Sequence, residues 1–375
     1  LRILPGDRFL SFLPLAHIFE RMAGHFIPYL CGAEVAYARS PKSVPVDMGR
    51  ARPSILVAVP RMYQVFYDRA QAQRERSALT DRLMFWATGE TAGPGRLLGP
   101  LARVLLRRRF RKRMGGRIRL LVSGGAALPE ATGRFFQGIG LPILEGYGQT
   151  ETAPVVSVNP QEAVRVGTVG RPLPDVEVRL GEDHEILVRG PNVMRGYWNR
   201  PHDTAAVFEG RWLRTGDGGQ IDEDGYLTIT DRLKEILVTS GGKNIPPQRI
   251  ELRLAAQTVI QQAVVFGNGK PYLAALIVPD WELVARRLAW GQDTPDPDSR
   301  EAQRLVREAI QYALSDLPGW EQIRRFRLLE TPFTQEAGEL TPTLKVKRRV
   351  IARTYADEVA ALFEEAGDGA PEPAG

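Results

Sequence analysis

The stretch Ile118-Arg119-Leu120-Leu121-Val122-Ser123-Gly124-Gly125-Ala126-Ala127-Leu128-Pro129 decides how the chain is read. An apolar run, Ile118–Val122, ends in Ser-Gly-Gly. A helical pattern follows over Pro129–Gln137, and then a second short apolar run, Pro142–Leu144. Strand, glycine turn, helix and strand in that order form one α/β unit, and the returning helix makes the two strands parallel. A similar unit lies upstream, where Ser54–Val59 reads as a strand and Arg61–Arg69 as a helix. The expectation is an α/β fold on a largely parallel sheet.

Downstream the texture changes twice. Over 164–230, short strands alternate with polar turns: Glu185–Arg189, Trp212–Arg214, and Gln220–Asp222 with Leu227–Thr230 across Asp-Glu-Asp-Gly. This predicts an antiparallel or β-barrel-like subdomain. After Asp231 a strand over Glu235–Val238 leads into Thr239-Ser240-Gly241-Gly242, and a helix begins at Pro246-Pro247, since proline suits a first helical turn. Ala263–Phe266 and Tyr272–Val278 read as a hairpin around Gly267-Asn268-Gly269. Helices over Trp281–Trp290 and Glu301–Leu314, a strand over Phe326–Leu329 and a last helix over Val346–Phe363 complete a small α+β unit. The Gly/Ala/Pro/Glu-rich end, 364–375, predicts a disordered tail.

With 375 residues, 43% hydrophobic and 25% charged, the chain can build two or three cores. Its one cysteine, Cys31, excludes an internal disulfide framework and suits a reducing, cytoplasmic setting. No apolar run is long enough to span a membrane, and no cleavable secretory segment is visible. The chain opens at Leu1 in mid-pattern, from which further sequence upstream is expected. The net charge of +6 is unevenly spread: residues 91–129 hold ten basic residues and no acidic one, so the remainder is net acidic.

Several chemistries drop out. His17, His25, His184 and His202 show no metal-ligand spacing, which argues against zinc. No Gly-x-Ser-x-Gly elbow occurs, and Thr239-Ser240-Gly241-Gly242-Lys243 lacks the spacing of a P-loop. What remains are glycine-rich segments beside hydroxyls and carboxylates. Ser123-Gly124-Gly125-Ala126-Ala127 lets a planar or anionic ligand approach backbone, although a tight turn needs the same residues. In Gly146-Tyr147-Gly148-Gln149-Thr150-Glu151 a ring between glycines can lie on a purine, a hydroxyl can reach phosphate and a carboxylate can hold Mg²⁺. Thr215-Gly216-Asp217 offers a carboxylate to ribose hydroxyls just beyond a strand, and Arg232 in Asp231-Arg232-Leu233-Lys234 offers a fixed cation. Each of the last two alone could be an ordinary turn or salt bridge.

Taken in order, these segments resemble the adenylate-forming superfamily, and within it the AMP-forming long-chain fatty acyl-CoA synthetases. Phe12-Leu13-Pro14-Leu15-Ala16-His17-Ile18-Phe19-Glu20-Arg21 is similar to that branch's aromatic/histidine motif. Leu340-Thr341-Pro342-Thr343-Leu344-Lys345-Val346-Lys347-Arg348 is similar to its C-terminal lysine motif. The resemblance runs from Leu10 to about Phe363. It implies that residues 1–233 are the C-terminal part of a large adenylate-forming domain and that 234–363 form a small mobile C-terminal domain.

The reaction so implied has two steps. A medium- or long-chain fatty carboxylate attacks the α-phosphate of ATP to give acyl-AMP and pyrophosphate, and the coenzyme A thiol then takes the acyl group. Tyr147 would stack on adenine against Gly124, Gly125 and Ala126, with Gly148 closing the same loop. Thr150 would bind phosphate, Glu151 Mg²⁺, Asp217 the ribose hydroxyls, and Arg232 the ribose or α-phosphate. Lys345 would bridge the acyl carboxylate and the phosphate, and His17 would sit near the acyl pocket. Lys234 would be the hinge on which the small domain turns to bring Gly241 and Gly242 toward the pantetheine channel.

The family's Ser/Thr/Gly-rich phosphate loop, which precedes the segment seen here as Pro5-Gly6-Asp7, has no counterpart, so a fragment is expected. A non-catalytic module that binds adenylate or lipid at a membrane surface, and a ligase for another carboxylic acid, stay open as alternatives. The basic segment Arg103–Arg119 has three readings: an amphipathic helix in peripheral contact with an anionic membrane at its inner face, a merely solvated helix, or nucleic-acid binding. For the last no recognition motif is found, and no nucleic acid is expected.

Overall fold

The computed structural model describes residues 2–40, 43–75, 81–82, 84–85, 95–290, 296–341 and 346–364. The chain divides into two compact units, Leu1–Leu233 and Lys234–Gly375.

The first unit is built on a seven-stranded sheet. Its strands are β1 (Arg8–Ser11), β2 (Glu34–Tyr37), β3 (Ile55–Ala58), β4 (Leu120–Ser123), β5 (Ile143–Tyr147), β6 (Ser157–Val158) and β7 (Arg171–Pro172), in the order β2-β1-β3-β4-β5-β6-β7. The first five run parallel, and β6 and β7 close the edge antiparallel. Every residue of β3 and β4 is buried, so these strands read as unbroken apolar runs, as expected where both faces of a sheet are covered. One face presents Leu10, Leu56, Ala58 and Leu121 to the helices Pro60–Glu75, Gly95–Arg113 and Glu130–Gly138, which contribute Tyr63, Leu106, Phe110 and Phe136. The other face presents Phe9, Ile55, Val57, Leu120 and Val122 to Phe19 and Ala33. The parallel α/β architecture anticipated from the Ile118 stretch is present.

The antiparallel texture over 164–230 is a five-stranded sheet of β8 (Glu177–Leu180), β9 (Glu185–Arg189), β10 (Phe208–Glu209), β11 (Trp212–Ile221) and β12 (Leu227–Arg232). The sequence reading ends a strand at Arg214 and puts Asp217 beyond it, whereas β11 runs through both. The register of β11 slips between Arg214 and Gly218 against β9, and between Gly218 and Gly219 against β12. Gly216 at φ +72° takes the left-handed turn of this bulge, so the glycines that suggest a strand end instead bend one strand.

The basic segment also differs from expectation. Its helix ends at Arg113, because Gly115 at φ +89° passes so close to the chain that a Cβ would lie 2.4 Å from the Met48 carbonyl oxygen. Arg119 lies beyond it and donates to the buried carboxylate of Asp7 at 2.8 Å.

In the second unit β13 (Leu237–Val238) pairs with β14 (Asn244–Ile245), and β15 (Ile260–Phe266), β16 (Leu273–Pro279) and β17 (Ile323–Leu328) form a separate sheet. The hairpin of β15 and β16 and the helix opening at Pro247 match the sequence reading. Glu235 belongs to a 3₁₀ turn, Leu233–Glu235, and not to a strand, and its carboxylate faces Arg348. The last helix is two, Arg348–Thr354 and Ala356–Ala361, broken at Tyr355 (φ −112°, ψ 41°). The break lets Ile351 and Leu362 both enter the core around Val264 and Leu276. The expected tail lies outside the described residues apart from Glu364.

Candidate functional site

Three segments far apart in sequence share the carboxyl edge of the parallel strands: 12–20 after β1, 124–128 after β4, and 146–151 at the end of β5. Ligands of open α/β sheets bind at that edge. The first two segments touch. A Cβ on Gly124 would lie 2.9 Å from the Phe19 ring, so the missing side chain admits the ring. Gly125 takes φ +82°, and a Cβ on Gly148 would fall 1.6 Å from the Pro154 carbonyl oxygen. Gly148 is therefore required by close approach of backbone whatever it binds.

The third segment reaches the antiparallel sheet. The Tyr147 hydroxyl donates to Asp217 Oδ2 at 2.7 Å, and Arg232 Nε donates to Asp217 Oδ1 at 3.0 Å. Asp217 and Arg232 are register partners across β11 and β12, so the bulge aims the carboxylate and the neighbouring strand aims its cation. The bulge is held from below: buried Glu185 accepts from the Gly216 amide at 2.9 Å and from Arg214 Nε at 2.9 Å. Burial first, and then the Asp217 charge, hold the Tyr147 phenol well above its usual range, so it acts as a donor. Asp217 is 6% exposed and Arg232 is exposed, which leaves a half-covered edge of one carboxylate, one phenol and one guanidinium.

Two residues here escape the sequence reading. Glu145, the last buried side chain of β5, accepts from the Leu128 amide at 2.9 Å and so ties the 124–128 turn to the strand carrying Tyr147. Burial pushes its carboxyl up to about 8, against the pull of that amide. An acid inside an apolar run is the signal that could have found it. Tyr197 donates its hydroxyl to Glu151 Oε1 at 2.9 Å, while the Met194 amide bonds the Glu151 carbonyl at 2.8 Å. Burial and the Glu151 charge push the Tyr197 phenol to about 12. No local pattern marks a partner 46 residues away. Thr150 is exposed and Glu151 half-buried in the turn that follows β5.

His17 is half-buried, its Nδ1 facing the Phe19 amide at 3.3 Å. Glu20, in the π-helical turn Glu20–Phe26, is 1% exposed. Its carboxyl fills the space a Cβ on Gly24 would take. Ser11 and the Phe12 amide lie close to its oxygens, but neither meets the geometry of a full hydrogen bond. Burial pushes the group up to about 7, and Ser11 and the Phe12 amide offset only part of this.

In the second unit Gly241 and Gly242 form the tip between β13 and β14, closed by the Thr239 amide on the Lys243 carbonyl at 3.0 Å. Lys234 is the first residue of that unit. Lys345 lies outside the described residues. Among the described residues on either side, Leu340 forms a β-bridge with Val346, and Arg348 donates to Val265 O at 3.1 Å and to Glu251 Oε1 at 2.5 Å. Arg348 is thus an internal tie and not a surface charge.

Among the described residues no group of three His, Cys, Asp or Glu side chains could hold a metal ion, and no helix is long and apolar enough to cross a membrane. Glu151 beside Thr150 offers one carboxylate and one hydroxyl. That set suits Mg²⁺ arriving on a polyphosphate and does not suit a resident all-protein cage.

Comparison with known proteins bears on the fold and the family. The AMP-binding enzyme family model matches residues 1–198, and that of the AMP-binding enzyme C-terminal domain matches 234–367. The chain is 39% identical over 385 residues to long-chain-fatty-acid–CoA ligase FadD15 of Mycobacterium bovis, covering 96% of this chain and 63% of that protein. It is 31% identical over 428 residues to probable acyl-activating enzyme 16, chloroplastic, of Arabidopsis thaliana, covering 96% and 58%. The chain therefore spans under two thirds of the length of these relatives. Among solved structures, the adenylation domain of a carboxylate reductase from Mycobacterium chelonae superposes with a TM-score of 0.74 at 23% identity, over 96% of this chain and 54% of that one. The A domain of the carboxylic acid reductase from Segniliparus rugosus, in complex with AMP and a co-purified carboxylic acid, gives 0.75 at 23% identity, over 95% and 54%. With family models matched on both compact units, the chain belongs to the AMP-binding enzymes.

Proposed function

We propose that the chain carries most of the active site of a fatty acid–CoA ligase, which converts a medium- or long-chain carboxylate to acyl-AMP and then to the coenzyme A thioester. The observation that carries this reading is the cluster of Tyr147, Asp217 and Arg232 at the carboxyl edge of the sheet. The relatives named as long-chain-fatty-acid–CoA ligases support the substrate class.

In this reading the Tyr147 ring forms one wall for adenine and the backbone of Gly124, Gly125 and Ala126 the other. Asp217 keeps lone pairs beyond those given to Tyr147 and Arg232, and with them it accepts the ribose hydroxyls. Arg232 neutralises that carboxylate and meets ribose or α-phosphate oxygen. Thr150 donates to phosphate, and Glu151, oriented by the Tyr197 hydroxyl, is the protein ligand for Mg²⁺. When bound, Mg²⁺ supplies charge neutralisation along the phosphates. No protein nucleophile is required, so catalysis rests on positioning and on charge placed where the pentacoordinate phosphorus develops it. Lys345 supplies that charge in the first step. Rotation at Lys234 then exchanges it for the Gly241-Gly242 tip, which receives the pantetheine of coenzyme A. His17 borders the acyl group.

The test is ATP–pyrophosphate exchange on the protein expressed from its complete reading frame, over a series of acyl chain lengths. Exchange that depends on fatty acid and Mg²⁺ and rises with chain length supports the reading. Exchange that is independent of fatty acid, or stronger with aromatic acids, overturns it.

A further inference from the structure

The outward face of the helix Gly95–Arg113 carries none of the residues assigned above to nucleotide or acyl group. Its inward face is occupied by the core, through Ala102, Leu106 and Phe110. Leu101 at 58% and Leu105 at 45% exposure are therefore apolar side chains that the core of this unit leaves uncovered among the described residues. Spaced four apart, they stand on one helical face, and the exposed Arg108, Arg109 and Lys112 continue it toward the C-terminus. No acidic residue occurs from 91 to 129 to neutralise them. The neighbouring Arg113 donates to a neutral partner, Gln73 Oε1, at 2.6 Å. Burial, and then the like charge of Arg109, pull its guanidinium below the usual range.

We infer that this helix face docks onto an anionic lipid surface, with Leu101 and Leu105 entering the boundary of headgroups and acyl chains and Arg108, Arg109 and Lys112 meeting lipid phosphates. A nucleic acid would satisfy the cations but leave both leucines against water, and the face carries no exposed aromatic ring on which a base could stack. The inference does not depend on the catalytic reading.

The test is sedimentation of the protein expressed from its complete reading frame with phosphatidylcholine vesicles, with and without phosphatidylserine. Partitioning should require phosphatidylserine and fall as salt rises past the concentration at which screening lengths shrink to about 10 Å. The variant R108Q/R109Q/K112Q should bind about a hundredfold more weakly, at about fivefold per charge removed. L101S/L105S should also weaken binding while keeping its salt dependence. Wild-type protein that ignores phosphatidylserine overturns the inference, as does a triple variant that partitions like wild type. So does preference for an oligonucleotide over vesicles in direct competition. The salt titration of the wild type needs no variant and decides the matter if a variant fails to fold.

Discussion

The hydroxyl of Tyr147 donates a 2.7 Å hydrogen bond to the carboxylate of Asp217, seventy residues further along the chain. This bond joins the last parallel strand to the bulge of β11 and aligns ring, carboxylate and the Arg232 guanidinium on one edge. Tyr147→Phe keeps the ring and removes the donor. Hydrogen bonds to charged groups contribute about 1.5–3 kcal/mol, so AMP affinity should fall roughly tenfold or more, with a similar loss of stability. Calorimetric titration and urea unfolding would check both.

Glu145 makes a second prediction that separates shape from charge. Glu145→Ala leaves the buried Leu128 amide without an acceptor, at about 1–3 kcal/mol, and frees the 124–128 turn. Glu145→Gln keeps an acceptor oxygen in place. The alanine variant should lose AMP affinity and the glutamine variant should stay close to wild type. Equal behaviour of the two would show that the tie between the turns does not position the site.

Glu20 predicts a pH dependence with a definite sign. Its carboxyl titrates at 4.5 when unperturbed and at about 7 in the fold. Below 4.5 both states hold the proton and nothing is lost. As pH rises to 7 the unfolded chain releases it while the folded chain keeps it, so stability falls through that window and levels off above it. The loss is on the order of 3 kcal/mol. Glu20→Gln has no such proton, so its advantage over wild type should grow by that amount between pH 4.5 and 8 in urea unfolding. Parallel pH profiles would contradict the assignment.

Two glycines named for binding should respond oppositely to a methyl group. Gly148→Ala would place Cβ 1.6 Å from the Pro154 carbonyl oxygen, and the backbone must move. Gly241→Ala meets nothing nearer than Thr239 Oγ1 at 4.0 Å. The first should destabilise by roughly 3 kcal/mol or more, as overpacking against backbone does, and the second should leave the melting temperature nearly unchanged. Thermal unfolding distinguishes them.

What was legible in the sequence was local. Apolar runs closed by proline or leading into glycine located β3, β4 and β5, and the Gly-Asn-Gly turn located the hairpin of β15 and β16, because these features depend on neighbours a few residues apart. The ring and carboxylate of Tyr147 and Asp217 were also marked, by residue type beside glycine. What was hidden depends on partners far along the chain. Glu145 and Tyr197 act through Leu128 and Glu151, and Arg348 bonds Glu251, 97 residues away. The glycines of β11 misled because a bulge and a strand end call for the same residue. The basic helix carried the same ambiguity: alternating leucines and arginines do not say which leucines the core takes until Leu106 is found inside and Leu105 outside.

The central claim, one site serving two reactions, is tested most directly by assaying Lys345→Ala in both half-reactions on the protein from its complete reading frame. Pyrophosphate release from ATP and fatty acid should fall by about a hundredfold or more, as removal of one charge-stabilising group does. Thioester formation from supplied acyl-AMP and coenzyme A should stay within about threefold of wild type, since in the proposed cycle the lysine takes no part in that step. Equal loss of both half-reactions, or undiminished adenylation, would contradict the account.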